Sequence, residues 1–480
     1  MSILMPNDTG AALGVNAAGC NSRSLLFDRF CDPTAEKDGR VAVFTRALGK
    51  APSAEKMESW NRFLGSGSWV KQDHLLYGHL QSRLMVNMAG GVMENAGLCL
   101  DRFGMPYIPG SAVKGCARRM AIQRCIECQG DEAKADLLAR IAWIFGWADT
   151  DWKPGRIQVA GGTGEPRSDF WWSMADDSLD GNADSKRNEN WDRVGFRVAN
   201  RLLDLLKIRD RQHADEPWKN LPNFGGSVSF LPAFPVQISK DHLNPRSVSP
   251  GTLDLDIVTC HHPAYYAGER TVATDDEEPN PVVFPSVAAG HVFAFAVCPL
   301  RDCSDEDLRS ARVWLANGLE LFGLGAKTNA GYGWFDCGDE LQQAVRAALD
   351  EAKQRRQEEE KQAAEDQRRQ EAEQKRAEEA ARLKALTASM TPEQRSDFEI
   401  AQLTNEQFRG RLDSFSKRQP IEQQAIVRAL RLPPGQPGSR RQFWDDLKAK
   451  AQRGGKPAQV AEVIRLISKQ LYPGKEGKMP

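Results

Sequence analysis

The sequence predicts an α+β chain that gives way to pure helix at its C-terminal end. Three observations carry this. Within residues 1–338, apolar–polar alternations at 77–87, 228–238, 253–259 and 291–297 interleave with helix-compatible stretches at 112–128 and 305–321. The 47 residues 340–386 are dominated by Glu, Arg, Lys, Gln and Ala and contain no Gly or Pro, the composition of one long charged helix. Residues 389–480 show fresh helix starts, as at Thr391-Pro392-Glu393, and a break at 433–438. The domains expected are therefore 1–338, a helix at 339–388, and a small all-α module at 389–480.

A chain of 480 residues has room for two to four domains. Its net charge of −1 advertises neither nucleic acid nor membrane, although local basic surfaces can hide in a neutral total. No run of 18 apolar residues occurs and the N-terminus lacks a signal-peptide pattern, so a cytoplasmic protein is expected. Ten cysteines are scattered. Cys125 and Cys128 form the single C-x-x-C pair, and no second pair follows at zinc-site spacing. Reduced thiols in a cytosolic interior are expected, with no cofactor and no metal. Of the seven histidines, only His261-His262 are adjacent.

Residues 38–47 and 55–63 read as modest amphipathic elements. Alternation through Leu80, Leu84 and Val86 predicts a strand over 77–87, followed by a glycine-containing loop at 89–97 and a short strand at 98–103. Pro109-Gly110 signals a turn, and Ser111 is a good N-cap for the helix at 112–128. Free N–H groups at that start, with Lys114 in the first turn, make a sound anion site. The same residues serve equally well as a plain cap and a solvated lysine. Residues 146–225 read as an irregular insertion with a helix near 195–206; seven of the twelve tryptophans lie between 143 and 218. Tryptophans in such a region pack a small subcore more often than they stack on bases. A long loop at 260–285 carries His261, His262, Tyr265, Tyr266 and Arg270, then an acidic run at 275–278.

The helix at 305–321 feeds the segment LFGLGAKTNAGYGWF, 321–335, where Gly323, Gly325, Gly331 and Gly333 surround Lys327, Thr328 and Asn329. Glycine at this density lets N–H groups turn into one concave space that can cradle a phosphate. The commoner nucleotide motifs fail. A P-loop is excluded because Ala326 precedes Lys327 and Leu321 stands at the first glycine position. A G-x-G-x-x-G fingerprint fails at Thr328, and an RNA-recognition signature fails at Ala330 and Cys337. The plain alternative is a tight turn between a helix and a last strand.

Two motifs together carry a resemblance. Ile108-Pro109-Gly110-Ser111-Ala112-Val113-Lys114-Gly115 resembles the I-P-G-S-S-x-K-G signature of the RAMP superfamily of CRISPR effector proteins, with Ala112 where serine is commoner. The run from Leu324 to Gly333 is similar to that superfamily's C-terminal glycine-rich loop. Leu25-Leu26-Phe27-Asp28-Arg29, Glu94-Asn95-Ala96-Gly97, Val228-Ser229-Phe230-Leu231-Pro232-Ala233-Phe234-Pro235 and His262-Pro263-Ala264-Tyr265-Tyr266 resemble subunits of the type III-B (Cmr) complex. The match covers roughly residues 20–338.

The resemblance implies a ferredoxin-like (RRM-like) β-α-β-β-α-β fold with insertions. It implies a backbone subunit at one end of a filament, holding the 3′ part of the CRISPR RNA and helping to present it to target RNA. The partners implied are those RNAs and other Cmr subunits, both backbone RAMP proteins and small helical ones. The RNA-binding residues expected are Ser111, Lys114, Arg118, Gly323, Gly325, Lys327, Thr328, Asn329 and Gly331, with His262, Tyr265 and Tyr266 from the long loop. Tyr332 and Trp334 are expected to begin the last strand and pack. The tail lies outside the family pattern; its 17 Lys and Arg against 10 Asp and Glu suit RNA contact or protein docking alike.

In related backbone subunits an aspartate after the first strand is implied in target cleavage. Here that region, 87–95, offers only Glu94, a poor basis for metal-assisted hydrolysis. A binding subunit is expected, not an enzyme. The runner-up is a metal-independent endoribonuclease that processes CRISPR RNA with His261 or His262.

Overall fold

The computed structural model describes every residue apart from 1–5, 15–16, 33, 53–58, 61, 64–69, 89–97, 153–156, 160–161, 165–167, 175–182, 239–247, 301 and 475–477. The chain divides into two compact units, Met1–Arg356 and Gln357–Pro480. The elements used below, in chain order, are α1 (Arg23–Asp28), α2 (Lys37–Leu48), β1 (Leu75–Leu80), α3 (Gly110–Glu127), α4 (Asp131–Phe145), α5 (Ala183–Leu205), β2 (Val228–Phe230), β3 (Phe234–Pro235), β4 (Leu253–Cys260), β5 (Asn280–Val287), β6 (Val292–Pro299), α6 (Asp305–Leu321), β7 (Phe335–Asp336), α7 (Asp339–Ala388), α8 (Pro392–Gln402), α9 (Asn405–Asp413), α10 (Pro420–Arg431), α11 (Arg441–Ala451) and α12 (Lys456–Leu471).

The first unit is α+β. Strand β1 pairs antiparallel with β6 from Leu75↔Ala296 to His79↔Val292, and with β7 at Leu80↔Phe335. On its other edge β6 pairs with β2 and β3, giving the spatial order β7–β1–β6–β2/β3. The period of two divides the core. Leu76, Leu80, Phe293 and Phe295 join the cluster that contains Val113 and Ala117 of α3 and Leu315 and Leu319 of α6. Leu75, Tyr77, Val292 and Ala294 face the opposite way, against Leu341 and Val345 at the start of α7. Helix α6 is pinned at its start by a capping box in which Ser304 and Asp307 each satisfy the other's backbone N–H.

Several expectations need correction. The strand expected over 77–87 is β1, 75–80; beyond it the chain leaves the sheet, and Leu84 makes one isolated bridge to Val287. No strand forms at 98–103, where Leu100 bridges only Pro106. The expected loop at 260–285 is shorter, because β5 begins at Asn280 and pairs with β4 along its whole length. Trp147, Phe170, Trp171 and Trp191 of the 146–225 segment enter the main core, not a separate subcore. The loop expected at 89–97 and most of the element expected at 55–63 lie outside the described residues.

Where β7 stops short, a side chain takes its place. Buried Gln342 of α7 accepts from the Tyr77 N–H (2.9 Å) and donates to the Tyr77 carbonyl (2.6 Å) and the Cys337 carbonyl (3.0 Å). The second unit has its own core of Ile400, Phe408, Phe415, Ile426, Trp444 and Ile464. Capping boxes at Thr391 and Thr404 start α8 and α9. Helix α7 buries Leu341, Gln342, Val345 and Ala348 near its start, and residues 357–386 are exposed on every side. Opposite charges stand at helical spacing there, Glu365 and Arg369, Glu371 and Lys375, Glu378 and Arg382, but among the described residues these form no ion pair. Gln367→Glu371 and Gln374→Glu378 hydrogen bonds stand in that segment instead. Exposed pairs gain little from closing, so their absence costs little. Among the described residues no helix is long and apolar enough to cross a membrane.

A buried polar clamp ties the first unit together. Arg23 of α1 donates to the Gly104 and Gly251 carbonyls. The Gly251 N–H donates to Nε2 of His291 (3.0 Å), whose Nδ1–H donates to the Ala288 carbonyl (2.7 Å). Both ring nitrogens are thus used by the neutral form. Burial first, then the Arg23 charge among other neighbours, pushes the His291 pKa down to about 4, against the bond to Ala288. In the unfolded chain the same ring takes up a proton near 6.5. Between those values the unfolded state binds more protons, so stability is full above pH 6.5 and falls as pH drops toward 4. A loss of roughly 3 kcal/mol from this group alone is expected across that window. Urea titrations of wild type and His291→Gln at pH 7 and 4.5 should show the steeper fall in wild type; parallel falls would refute it.

Candidate nucleic-acid interface

The glycine loop is built on the rim of β1. After α6 ends, the Leu324 N–H donates to the Gly333 carbonyl, the Gly333 N–H to the Arg83 carbonyl, and the Ala326 N–H to the Met85 carbonyl, all at 2.7–2.8 Å. The loop therefore runs along 81–85, paired through its backbone. A Cβ on Gly333 would sit 1.9 Å from the Leu324 carbonyl oxygen, and one on Gly325 2.3 Å from that of Met85. Gly323 is closed by the Gly333 carbonyl at 2.9 Å, while Gly331 faces open space. Three of the four glycines thus admit the chain's own backbone, not a ligand as expected.

What the loop offers outward is its crown. Lys327 is left-handed (φ 58°, ψ 29°) and leads into a 3-10 turn, Thr328–Ala330. Among the described residues the N–H groups of Lys327, Thr328 and Asn329 find no backbone or side-chain acceptor. Successive free N–H groups in this conformation form an anion-binding nest. The Lys327 ammonium lies 4.9 Å over the Phe284 ring, with no carboxylate partner among the described residues. Asn329 is exposed and Thr328 half-buried. Trp334 is not in the strand: it is 36% exposed, and its Nε1 donates to the Thr328 carbonyl at 3.3 Å. Tyr332 does pack, donating its hydroxyl to Asp256, and burial and that bond push its pKa up to about 12.

The Pro109–Gly115 motif opens α3, whose next residue, Cys116, meets the start of the glycine loop at Gly323. Pro109 is the N-cap of α3; Ser111 is exposed and makes no capping bond, so the expected cap is corrected. Gly110 packs against β2, where a Cβ would lie 2.3 Å from the Phe230 carbonyl. Half-buried Lys114 has its pKa lowered by desolvation, then by Arg118, with Asp151 opposing. Arg118 is committed elsewhere: it forks onto Asp169 (2.7 and 2.9 Å), reaches Asp151 (3.0 Å), and covers Phe170. It ties α3 to the insertion and is no free phosphate ligand.

One seam joins the motifs. Gly318 of α6 meets the Cys116 carbonyl, Cys116 Sγ approaches the Gly323 carbonyl (3.8 Å), and Arg119 covers Phe322 at 4.1 Å.

A third part is the hairpin β4–β5. Asp256 lies opposite Phe284, and Arg83 bonds Asp256 at 3.1 Å, so the hairpin's base adjoins the glycine loop. Its tip begins four residues further out, at Cys260↔Asn280, about 14 Å along the strands. There Tyr265 and Tyr266 are 42% and 76% exposed and meet edge to face. His262 sits beside the Thr274 carbonyl (3.2 Å), Arg270 pairs with Asp276 (2.9 Å), and His261 is exposed. Sequence reasoning missed Arg83, Asp256 and Phe284. The signal was Asp254 and Asp256 two apart, hence on one face of a strand. Among the described residues no group of three His, Cys, Asp or Glu could hold a metal.

Residues 63–336, the span from before β1 to the end of β7, match the family model of the RAMP superfamily, and the chain belongs to that superfamily. Within it, the chain is similar to the CRISPR system Cmr subunit Cmr6 of Pyrococcus furiosus, 27% identical over 259 residues. That alignment covers 53% of this chain and 64% of the relative, so the chain spans under two thirds of that protein's length. Among solved structures it is similar to a chain of the type III-B Cmr-beta complex bound to cognate target RNA (14% identity, TM-score 0.32, 63% of this chain and 73% of that one). It is also similar to the crystal structure of Cmr6 from Pyrococcus furiosus (20%, TM-score 0.25, 55% and 97%).

Proposed function

We propose that this chain is a non-catalytic, RNA-binding backbone subunit of a cytoplasmic type III-B (Cmr) CRISPR ribonucleoprotein, on a ferredoxin-like core. The order β7–β1–β6–β2/β3 supports that core: two β-α-β crossovers, through α3 and through α6, with each strand antiparallel to its neighbours. The similarity to Cmr6 supports the complex. In this reading the chain holds the 3′ part of the CRISPR RNA and helps to position target RNA beside other Cmr subunits.

The observation that carries the reading is the seam. It sets α3, two residues past Lys114, against the start of the loop whose crown carries Lys327 and the free N–H groups, in a protein of net charge −1. Such a site suits a phosphate backbone, because successive N–H groups and an ammonium bind phosphate without reading a base. His262 beside a backbone carbonyl, and His261 without a partner among the described residues, give the endoribonuclease reading no added support.

The test is RNA retention by Lys114→Ala/Lys327→Ala. Losing two phosphate contacts should flatten the slope of log K against log salt by about 1.4, weakening retention roughly tenfold at 0.1 M salt. Unchanged retention would sink the reading.

A further inference from the structure

The basic tail is where the structure says most that the core does not explain. Most of its arginines are spoken for. Arg411 and Arg418 reach Glu422, Arg428 forks onto Asp397, Arg441 lies 3.6 Å from Asp445, and Arg440 binds the Ala401 and Leu403 carbonyls. Lys417, Lys469 and Lys478 are exposed singly, and the densest run of exposed cations is the connection from α11 to α12. Lys448, Lys450, Arg453 and Lys456 are all exposed, and among the described residues no carboxylate or carbonyl pairs with their side chains. Residues 447–461 contain no Asp or Glu. Lys450, Lys456 and Arg409 line a cleft of about 290 Å³ that Asp413 and Asp446 also enter; Asp446 lies 3.9 Å from Arg409, and both lysines are left without a carboxylate partner among the described residues. Between them Gly454 and Gly455 share φ 77°; a Cβ on Gly454 would meet open space and one on Gly455 only Pro457, at 3.9 Å.

We propose that this connection is a second, sequence-independent phosphate-binding site for single-stranded RNA, lying wholly outside the 63–336 family match. Four unpaired cations on nine residues fit a polyanion that follows charge. A protein hot spot would present a buried-on-binding aromatic or aliphatic anchor. None of the second unit's large exposed apolar residues, Leu383, Leu386, Ile421 and Leu466, falls within 447–461. The choice of RNA as the polyanion rests on the reading proposed above, while the site itself does not.

The experiment measures binding of a 30-nucleotide oligouridine to the full chain over 50–300 mM salt. Changing Lys448, Lys450, Arg453 and Lys456 together to Gln should flatten the salt slope by about 2–3 and weaken binding on the order of a hundredfold at 0.1 M. Restoring charge as Lys448→Arg/Lys450→Arg/Lys456→Arg should retain wild-type binding. A parallel Lys114→Ala/Lys327→Ala variant separates the two sites. If only the fourfold variant loses affinity, the tail site stands and the core reading falls. An unchanged slope in the fourfold variant, with its helical circular dichroism intact, overturns the tail site. So does loss of a co-purifying protein with RNA affinity intact.

Discussion

Replacing Gly333 with alanine is expected to cost the first unit roughly 2–5 kcal/mol. Two effects add. The backbone at φ 70° is left-handed, which penalises any Cβ by about 1–2 kcal/mol. The new methyl also lands 1.9 Å from the Leu324 carbonyl oxygen, which is itself held in the pairing of the loop's two arms. Relief means prising those arms apart, at about 1–3 kcal/mol for overpacking. Gly331 is the internal control. It shares a positive φ, 89°, but has open space, so Gly331→Ala should cost only about 1–2 kcal/mol. Tryptophan fluorescence in urea reads the first unit, since Trp444 is the sole tryptophan beyond residue 356. Equal losses at the two positions would show that conformation alone matters and that the close packing of Gly333 is unimportant.

The second large effect is expected at Gln342. Substitution by leucine keeps the side chain's bulk against the sheet but removes one acceptor and two donors. The Tyr77 N–H, its carbonyl and the Cys337 carbonyl then lose their partner in a buried setting. At about 1–3 kcal/mol for a stranded polar group, partly relieved by water at the sheet edge, the loss should be roughly 3 kcal/mol. Amide exchange locates it: the Tyr77 N–H should exchange far faster in the variant, while the β1–β6 ladder speeds up by no more than the general loss of stability dictates. An unaltered Tyr77 rate would mean that the glutamine does not stand in for a strand.

What could be read from the residues follows from how local each signal is. The helix at 305–321 was legible to the residue, because Ser304 caps it and glycine ends it. The strand at 77–87 was overextended because alternation persists where the backbone merely runs beside the glycine loop. The start of β5 was missed because Asn-Pro and a second proline read as loop. A two-stranded hairpin tolerates Pro281 and Pro285, since each strand has one unpaired edge where a missing N–H costs nothing. In the interface, Lys327 and Lys114 were found through contiguous motifs. Arg118 was misjudged because its partners Asp151 and Asp169 come from an insertion whose folding no local pattern reveals. The glycines were read as making room for a ligand, and the distances that show otherwise are between carbonyls far apart in sequence.

Helix α7 has a mechanical consequence. Over 357–386 no side chain is buried, so hydrophobic burial contributes nothing to its helicity. Only backbone propensity and a few side-chain contacts, each about 0.2–0.5 kcal/mol, resist unwinding. Both folded units are held by cores whose loss is all-or-none. Under tension the rod should therefore yield first and reversibly, each residue lengthening from about 1.5 Å to about 3.3 Å. It would act as a spring that spares either core from force.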